Sequence, residues 1–324
     1  MSSLNSNMDG WRAVADLGTN TFHLLVARKH GNAIEVGFNY KAGVQLGKGG
    51  MGSQLIAVAA QERAMVELMN FRDQIRVFGI DPEACLVLGT SAFRNAKNCN
   101  EFVVSIEQET GFRVQVISGE KEASYIFKGV VGSGALQALD RHLVMDIGGG
   151  SVEFILAQGL TPVWKRSFEL GGLRLMEKFH QHDPISGFEV ASLLTFAEQS
   201  LSELWTECER YKPNILVGCS GAFSTWAEMD AQRQDPTSIP MEENFRHMPL
   251  QNFKALHEVL CQSPLEKRLQ IPGMIPLRAE MIVVAGLLTQ LVILKTSVRA
   301  IRVSEWALQE GAMLEMLDLE NADL

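Results

Sequence analysis

Within residues 143–155, Asp146 is followed by Gly148, Gly149 and Gly150, and these by Ser151 and Glu153. The residues before Asp146 form an apolar run and those after Ser151 alternate, so the segment reads as strand, glycine turn, strand. Glycines leave backbone N–H groups unshielded, and a phosphate oxygen can approach such groups closely. A carboxylate beside that cradle supplies the hard oxygen ligand that magnesium prefers. The chemistry on offer is phosphate binding with a divalent cation at Asp146. A plain hairpin whose glycines serve only the turn would leave the same signature.

Residues 13–27 repeat the plan: apolar strand, Asp16, Gly18, the small polar residues Thr19, Asn20 and Thr21, then a second apolar strand. Two separated copies predict two similar lobes, each bringing one phosphate-holding hairpin to a shared cleft. A third turn, Gly218-Cys219-Ser220-Gly221, follows the apolar run 215–217 and opens a helical stretch. Three such turns in one chain resemble the actin-like ATPase superfamily, which includes sugar kinases and the ATPase domains of heat-shock chaperones.

The elements that must position these turns show their own periodicities. From 53 to about 78, Val58, Met65, Leu68, Met69 and Ile75 fall on one helical face, and Gly79 stops the helix. The run 84–88 predicts a short buried strand leading through small residues to Arg94. A guanidinium presented there suits phosphate, and a surface Arg on the next helix fits equally well. Ser118 reads as the N-cap of a helix reaching about residue 131, with Glu120 and Glu122 in its first turns. The helix dipole favours acids there without any function. If that helix crosses between lobes, Glu122 could instead polarise a water against a bound phosphoryl group.

Gly132-Ser133-Gly134 loosens the chain. The domains are accordingly placed at 1–128 and 129–324, with room for the last helix to pack back on the first lobe. The strand 163–168 meets a helix start through Gly171 and Gly172, a further anion seat. The remaining pattern predicts a helix over 188–211, a loop-like stretch over 230–249, a buried helix over 281–294, a strand over 300–304 and a helix over 306–317. Lys48, in the glycine-rich and flexible loop 46–50, is either solvated or in touch with an anionic ligand.

With 324 residues, 46% hydrophobic and 21% charged, the chain suits two soluble domains. Its formal net charge of −9 means that a polyanion must be gripped by local cations, metal and backbone groups, which argues against general nucleic-acid binding. The five cysteines form no C-x-x-C pair, which favours free thiols in a reducing compartment, packed as small apolar fillers. Residues 1–10 carry no signal pattern and read as a frayed tail, and the apolar run 281–294 is too short to span a bilayer. A cytoplasmic location without a membrane partner is expected.

Taken in order, Asp16 to Leu24, Gly89 to Arg94, Ile117 to Ala123, Asp146 to Glu153, Glu169 to Gly171, Gly218 to Gly221, Pro272 to Ala279 and Ser304 to Gly311 resemble the exopolyphosphatase/guanosine pentaphosphate phosphohydrolase (Ppx/GppA) family. The resemblance implies an α/β protein of two actin-like, ribonuclease H-like lobes with a cleft between them. It implies Glu122 as general base on the attacking water, and magnesium at Asp146 with help from Glu153. It implies phosphate contacts from Asn20, Thr21, Arg94, Gly148, Gly149, Ser151 and Arg278. The substrate implied is inorganic polyphosphate, or guanosine pentaphosphate losing its 5′ γ-phosphate to give guanosine tetraphosphate. Such hydrolysis asks for charge neutralisation, in-line water and a base.

Three departures bear on the details. Gln309-Glu310-Gly311 stands where the family often has Arg-Glu-Gly, Glu280 stands where an aspartate is common, and the further helical region of long members has no counterpart before Leu324. Preference for shorter polyphosphates, or for a nucleotide, is expected on that last ground. A kinase of the same superfamily would have to exclude water, which Glu122 argues against. A non-catalytic alarmone- or polyphosphate-binding protein is disfavoured by the retained residue types and kept open by Gln309. Apolar surface at the lobe ends could support a homodimer.

Overall fold

The computed structural model describes residues 10–31, 33–50, 52, 54–234 and 244–319. Contacts divide the chain into two compact units, Met1–Gly132 with Leu308–Leu324, and Ser133–Ala307. Most of the expected N-terminal tail, and residues 235–243 of the expected loop, lie outside the described residues.

The first unit runs β1 (Arg12–Leu17), β2 (Phe22–His30), β3 (Ala33–Ala42), α1 (Val58–Val77), β4 (Leu86–Gly89), α2 (Ser91–Asn95), α3 (Cys99–Thr110), β5 (Val114–Val116) and α4 (Gly119–Gly132). Its sheet has the order β3-β2-β1-β4-β5. The hairpin strands pair antiparallel, and β4 and β5 add on in parallel. The central strand β1 is covered on both faces, which is why Ala13, Val14 and Ala15 form an unbroken apolar run.

Helix α1 buries Ala60, Ala64, Leu68, Phe71 and Ile75. Of the expected face only Leu68 and Ile75 lie inside, and Val58 is exposed. Two alanines let the helix approach the sheet closely, a role that a tally of large apolar residues overlooks. The expected helix start at Ser53 lies outside the described residues. Ser118 caps α4 as expected, its Oγ accepting from Lys121 N–H at 3.2 Å.

The second unit runs β6 (Arg141–Ile147), β7 (Val152–Gln158), β8 (Thr161–Phe168), α5 (Gly172–Phe179), α6 (Gly187–Ser200), α7 (Ser202–Tyr211), β9 (Ile215–Cys219), α8 (Ser220–Gln234), β10 (Phe245–Met248), α9 (Leu250–Gln262), α10 (Leu265–Arg268), α11 (Ile282–Lys295) and β11 (Ala300–Ser304). Its sheet order is β10-β11-β9-β6-β7-β8. With β10 set aside, the plan matches the first unit: an antiparallel β8-β7-β6 meander, then β9 and β11 in parallel. The core centres on Phe223, Trp226 and Phe253, whose rings meet edge to face at 5.1 and 5.0 Å.

Two expectations are corrected here. The single helix over 188–211 is two helices, because Leu201 leaves helical backbone geometry (φ −97°, ψ 17°) while its side chain is fully buried. The stretch read as loop over 230–249 begins as the end of α8 and closes as β10, which pairs antiparallel with β11. Hydrogen bonding to a distant strand makes Phe245–Met248 a strand in spite of its polar composition.

The closing helix α12 (Leu308–Met316) belongs to the first unit and lies along α4. A methyl at Gly311 would sit 1.8 Å from Tyr125 O, so the two helices touch through backbone. Lys121 and Lys128 of α4 both pair with Glu315, at 2.9 and 2.6 Å. Among the described residues no helix is long and apolar enough to cross a membrane. The five cysteines are free thiols, and burial pushes those of Cys85 and Cys208 up to about 12.

Candidate functional site

Each unit builds a turn that grips its own carbonyls from behind. In the first, Gly18 N–H closes the β1–β2 turn on Thr21 O at 3.1 Å. Gly47 N–H then donates to Thr19 O at 2.9 Å and Gln45 N–H to Asn20 O at 2.8 Å. Arg63 of α1 holds that loop in turn, with Nε on Val44 O and Nη2 on Gln45 O. The loop read as flexible is therefore anchored where it meets the hairpin. Lys48 at its tip is exposed, with Nζ 3.5 Å from Gln45 Oε1. Thr19, Asn20 and Thr21 are buried, and Asn20 Nδ2 has no acceptor among the described residues. A buried donor left so is costly until an acceptor arrives.

In the second unit the β6–β7 turn closes alike, Gly148 N–H on Ser151 O at 3.0 Å. Here the start of α5 takes the carbonyls. Gly172 N–H donates to Gly148 O and Leu173 N–H to Gly149 O, both at 2.9 Å, and Gly171 N–H donates to Gly150 O at 3.1 Å. Arg174 Nε adds a bond to Gly150 O. The expected anion seat at Gly171 and Gly172 is thus corrected: those N–H groups are committed to the glycine turn and cannot also hold a ligand. Only glycine fits at 171, since a methyl would lie 2.4 Å from the Gly149 carbonyl carbon. Among the described residues, Gly149 and Gly150 N–H donate to no backbone acceptor and form the open side of the turn.

Beside that turn, Asp146 and Glu153 face each other across β6 and β7, and both are buried. Opposed residues share one face of a sheet, so the two carboxylates are neighbours. The corresponding pair in the first unit is Asp16 opposite His23, so only the second unit carries the acidic pair. Ser167 Oγ donates to Glu153 Oε1 at 2.6 Å, and Ser220 Oγ donates to Asp146 Oδ2 at 2.7 Å. Arg278 ends a short 3-10 turn, Pro276–Arg278, and its guanidinium packs on Gly221, where a methyl would come within 2.3 Å. Burial lowers the pKa of Arg278 and the nearby Asp146 opposes that shift; the guanidinium stays cationic. A small void of about 10 Å³ beside it is lined by Gly148, Gly172, Ala222 and Met281.

Glu122 and Arg94 meet within the first unit. Glu122 sits in the first turn of α4, 7% exposed, and Arg94 Nη1 donates to its Oε2 at 2.5 Å and to Ile117 O at 3.1 Å. Their sequence signals are separate, a strand end for Arg94 and a helix start for Glu122, and neither points to the other. Ser220 and Ser167 were missed as well. The only sequence signal for Ser220 was its place in the third glycine turn. Of the departures, Gln309 is buried and its Nε2 donates to Glu310 Oε1 at 2.7 Å, whereas Glu280 is exposed and lines a separate cavity of about 250 Å³ with His180 and Arg268.

The two α/β units share one strand plan, and each carries a glycine-bearing turn beside an aspartate. The sequence profile of the Ppx/GppA phosphatase family matches residues 25–320, and the chain belongs to that family. It is 29% identical over 315 residues to a Vibrio cholerae serotype O1 protein named guanosine-5'-triphosphate,3'-diphosphate pyrophosphatase, a match covering 96% of this chain and 60% of that one. The chain thus spans about 60% of that relative's length. The crystal structure of an exopolyphosphatase from Cytophaga hutchinsonii superposes with a TM-score of 0.91 at 37% identity, covering 95% of this chain and 98% of that one. A Ppx/GppA family member from Aquifex aeolicus shares the fold with a TM-score of 0.78 at 22% identity, over 95% and 97% of the two chains.

Proposed function

We propose that the chain is a phosphoanhydride hydrolase that releases terminal phosphate from inorganic polyphosphate. The observation that carries this is the buried Glu122 carboxylate, oriented by Arg94 at the start of α4. A base held in one place is what water attack on a phosphoryl group requires. Glu122 takes the proton of the attacking water. Arg94 carries five donors, so it can bridge Glu122 and a phosphate oxygen. Asn20 Nδ2, Thr21, Ser151 and the N–H groups of Gly149 and Gly150 bind further oxygens, the Gly148 N–H being spent on Ser151 O, and Arg278 supplies a second cation.

The donor set of the second unit fits magnesium, which is commonly held by one or two carboxylates together with substrate phosphates and water. Among the described residues no group of three or more His, Cys, Asp or Glu forms a protein-only cage. Asp146 would hold the ion directly. Glu153, which is 1% exposed and accepts from Ser167, would assist in holding it. When bound, magnesium neutralises charge on the phosphate oxygens.

The name of the Vibrio relative favours a second reading, guanosine pentaphosphate as substrate. Phosphate release with magnesium, compared across short polyphosphate, long polyphosphate and guanosine pentaphosphate, decides between them, with Glu122→Gln as the control. Release from polyphosphate that collapses in the variant supports the proposal. Release only from the nucleotide favours the second reading. No release from any of the three, with phosphate binding intact, overturns both.

A further inference from the structure

Ser220 occupies the junction of β9 and α8 with φ of +66°, the left-handed region that side chains rarely adopt. Glycine is the unstrained residue for such a position, and a serine there is retained at a conformational cost. That backbone twist is what the serine uses. Its hydroxyl reaches across from β9 to the neighbouring parallel strand β6 and donates to Asp146 Oδ2 at 2.7 Å. The next residue, Gly221, leaves no room for a methyl beside the guanidinium of Arg278. One strained turn therefore touches both the acid and the cation of the second unit's phosphate machinery.

We infer that Ser220 is a positioning residue: its hydroxyl holds the Asp146 carboxylate in the orientation that the hydrolytic site needs, and the left-handed backbone exists to deliver it. This inference rests on the function proposed above. A hydroxyl bonded to one carboxylate oxygen restricts rotation of the group and leaves the other oxygen with a defined heading. The alternative is that the turn needs only a positive φ and that the serine is incidental.

Glycine and alanine separate the two. Ser220→Gly relieves the backbone strain and removes the hydroxyl, whereas Ser220→Ala keeps the strain and removes the hydroxyl. If Ser220 positions Asp146, both variants lose about tenfold or more in kcat, the range for removing a partner that orients a metal-ligating carboxylate, with KM for polyphosphate changed by less than about threefold. Ser220→Gly does so with an unchanged or higher Tm. In a cycle with Asp146→Asn, the serine variants cause no further loss, because the group they act through is already altered. A Ser220→Gly variant with wild-type kcat, or serine effects that multiply those of Asp146→Asn, overturns the inference.

A readout apart from turnover keeps this test distinct from that of the function itself. The rise in Tm caused by magnesium with inorganic phosphate is expected to shrink in both Ser220→Gly and Ser220→Ala. Should the wild type release no phosphate from any substrate, the proposed function fails. The Tm series then decides alone whether Ser220 orients Asp146, an undiminished rise in the Gly and Ala variants sinking it.

Discussion

At the scale of single residues, the proposed function has the Arg94–Glu122 pair couple the grip on phosphate to the handling of water. Glu122→Gln keeps the shape of the side chain and removes the proton acceptor, so kcat is expected to fall by about 10²–10⁴-fold while KM moves by less than about threefold. Arg94→Lys keeps a charge but loses the planar fork that can serve a carboxylate and a phosphate oxygen together. Steady-state kinetics should show a raised KM and a lowered kcat in that variant, and a wild-type profile would remove Arg94 from the site. Both residues were legible in the sequence as candidates. Their mutual contact was not, since 28 positions separate them and only the folded chain brings the two side chains together.

At the scale of elements, the phosphate turns depend on what stands behind them. Gly171→Ala would drive a methyl into the Gly149–Gly150 backbone and lift α5 from the turn. A drop in Tm, and a KM for polyphosphate raised by about tenfold, are expected if the carbonyl clamp shapes the open N–H side. Gly311→Ala acts on the other unit by forcing α12 away from α4, whose first turn carries Glu122. Denaturant unfolding should show a loss of about 3 kcal/mol, the scale of overpacking against backbone. The pairing of Glu315 with Lys128 and Lys121 holds the same two helices and keeps this carboxyl low, at about 2. Its folded pKa lies below the unfolded one, so its contribution is present above about pH 4.5 and is lost as pH falls toward 2. Glu315 is well exposed, so that contribution is under about 1 kcal/mol.

At the scale of the whole molecule, the acid limit of stability has a source far from the chemistry. His257 of α9 is buried in the second unit's core, stacked on Phe253 at 5.9 Å, and burial pushes its imidazole down to about 4. Between the unfolded value near 6.5 and the folded value near 4, the unfolded chain binds the proton and the folded chain does not. Stability therefore falls as pH drops through that window, by about 3 kcal/mol at most. Thermal melts from pH 7.5 downward should show this slope, flattened in His257→Leu. An equal slope in that variant would assign the acid limit to other groups.

What the sequence by itself determined is local. The strand–aspartate–glycine turns, the Ser118 cap and the buried α11 follow from short-range periodicity and turn chemistry, which act over a few residues and can be read from them. Family membership followed for the same reason, because the turns recur in order along the chain. The tertiary structure decided everything that depends on register and on distant partners. It committed the first N–H groups of α5 to the Gly148–Gly150 carbonyls, split the 188–211 helix at Leu201, and made a strand of Phe245–Met248. It set Glu153 opposite Asp146, and it twisted Ser220 into a left-handed turn so that its hydroxyl meets an aspartate 74 residues away. A hydrogen bond across a sheet has no trace in the spacing of its partners, since strand order and register choose them.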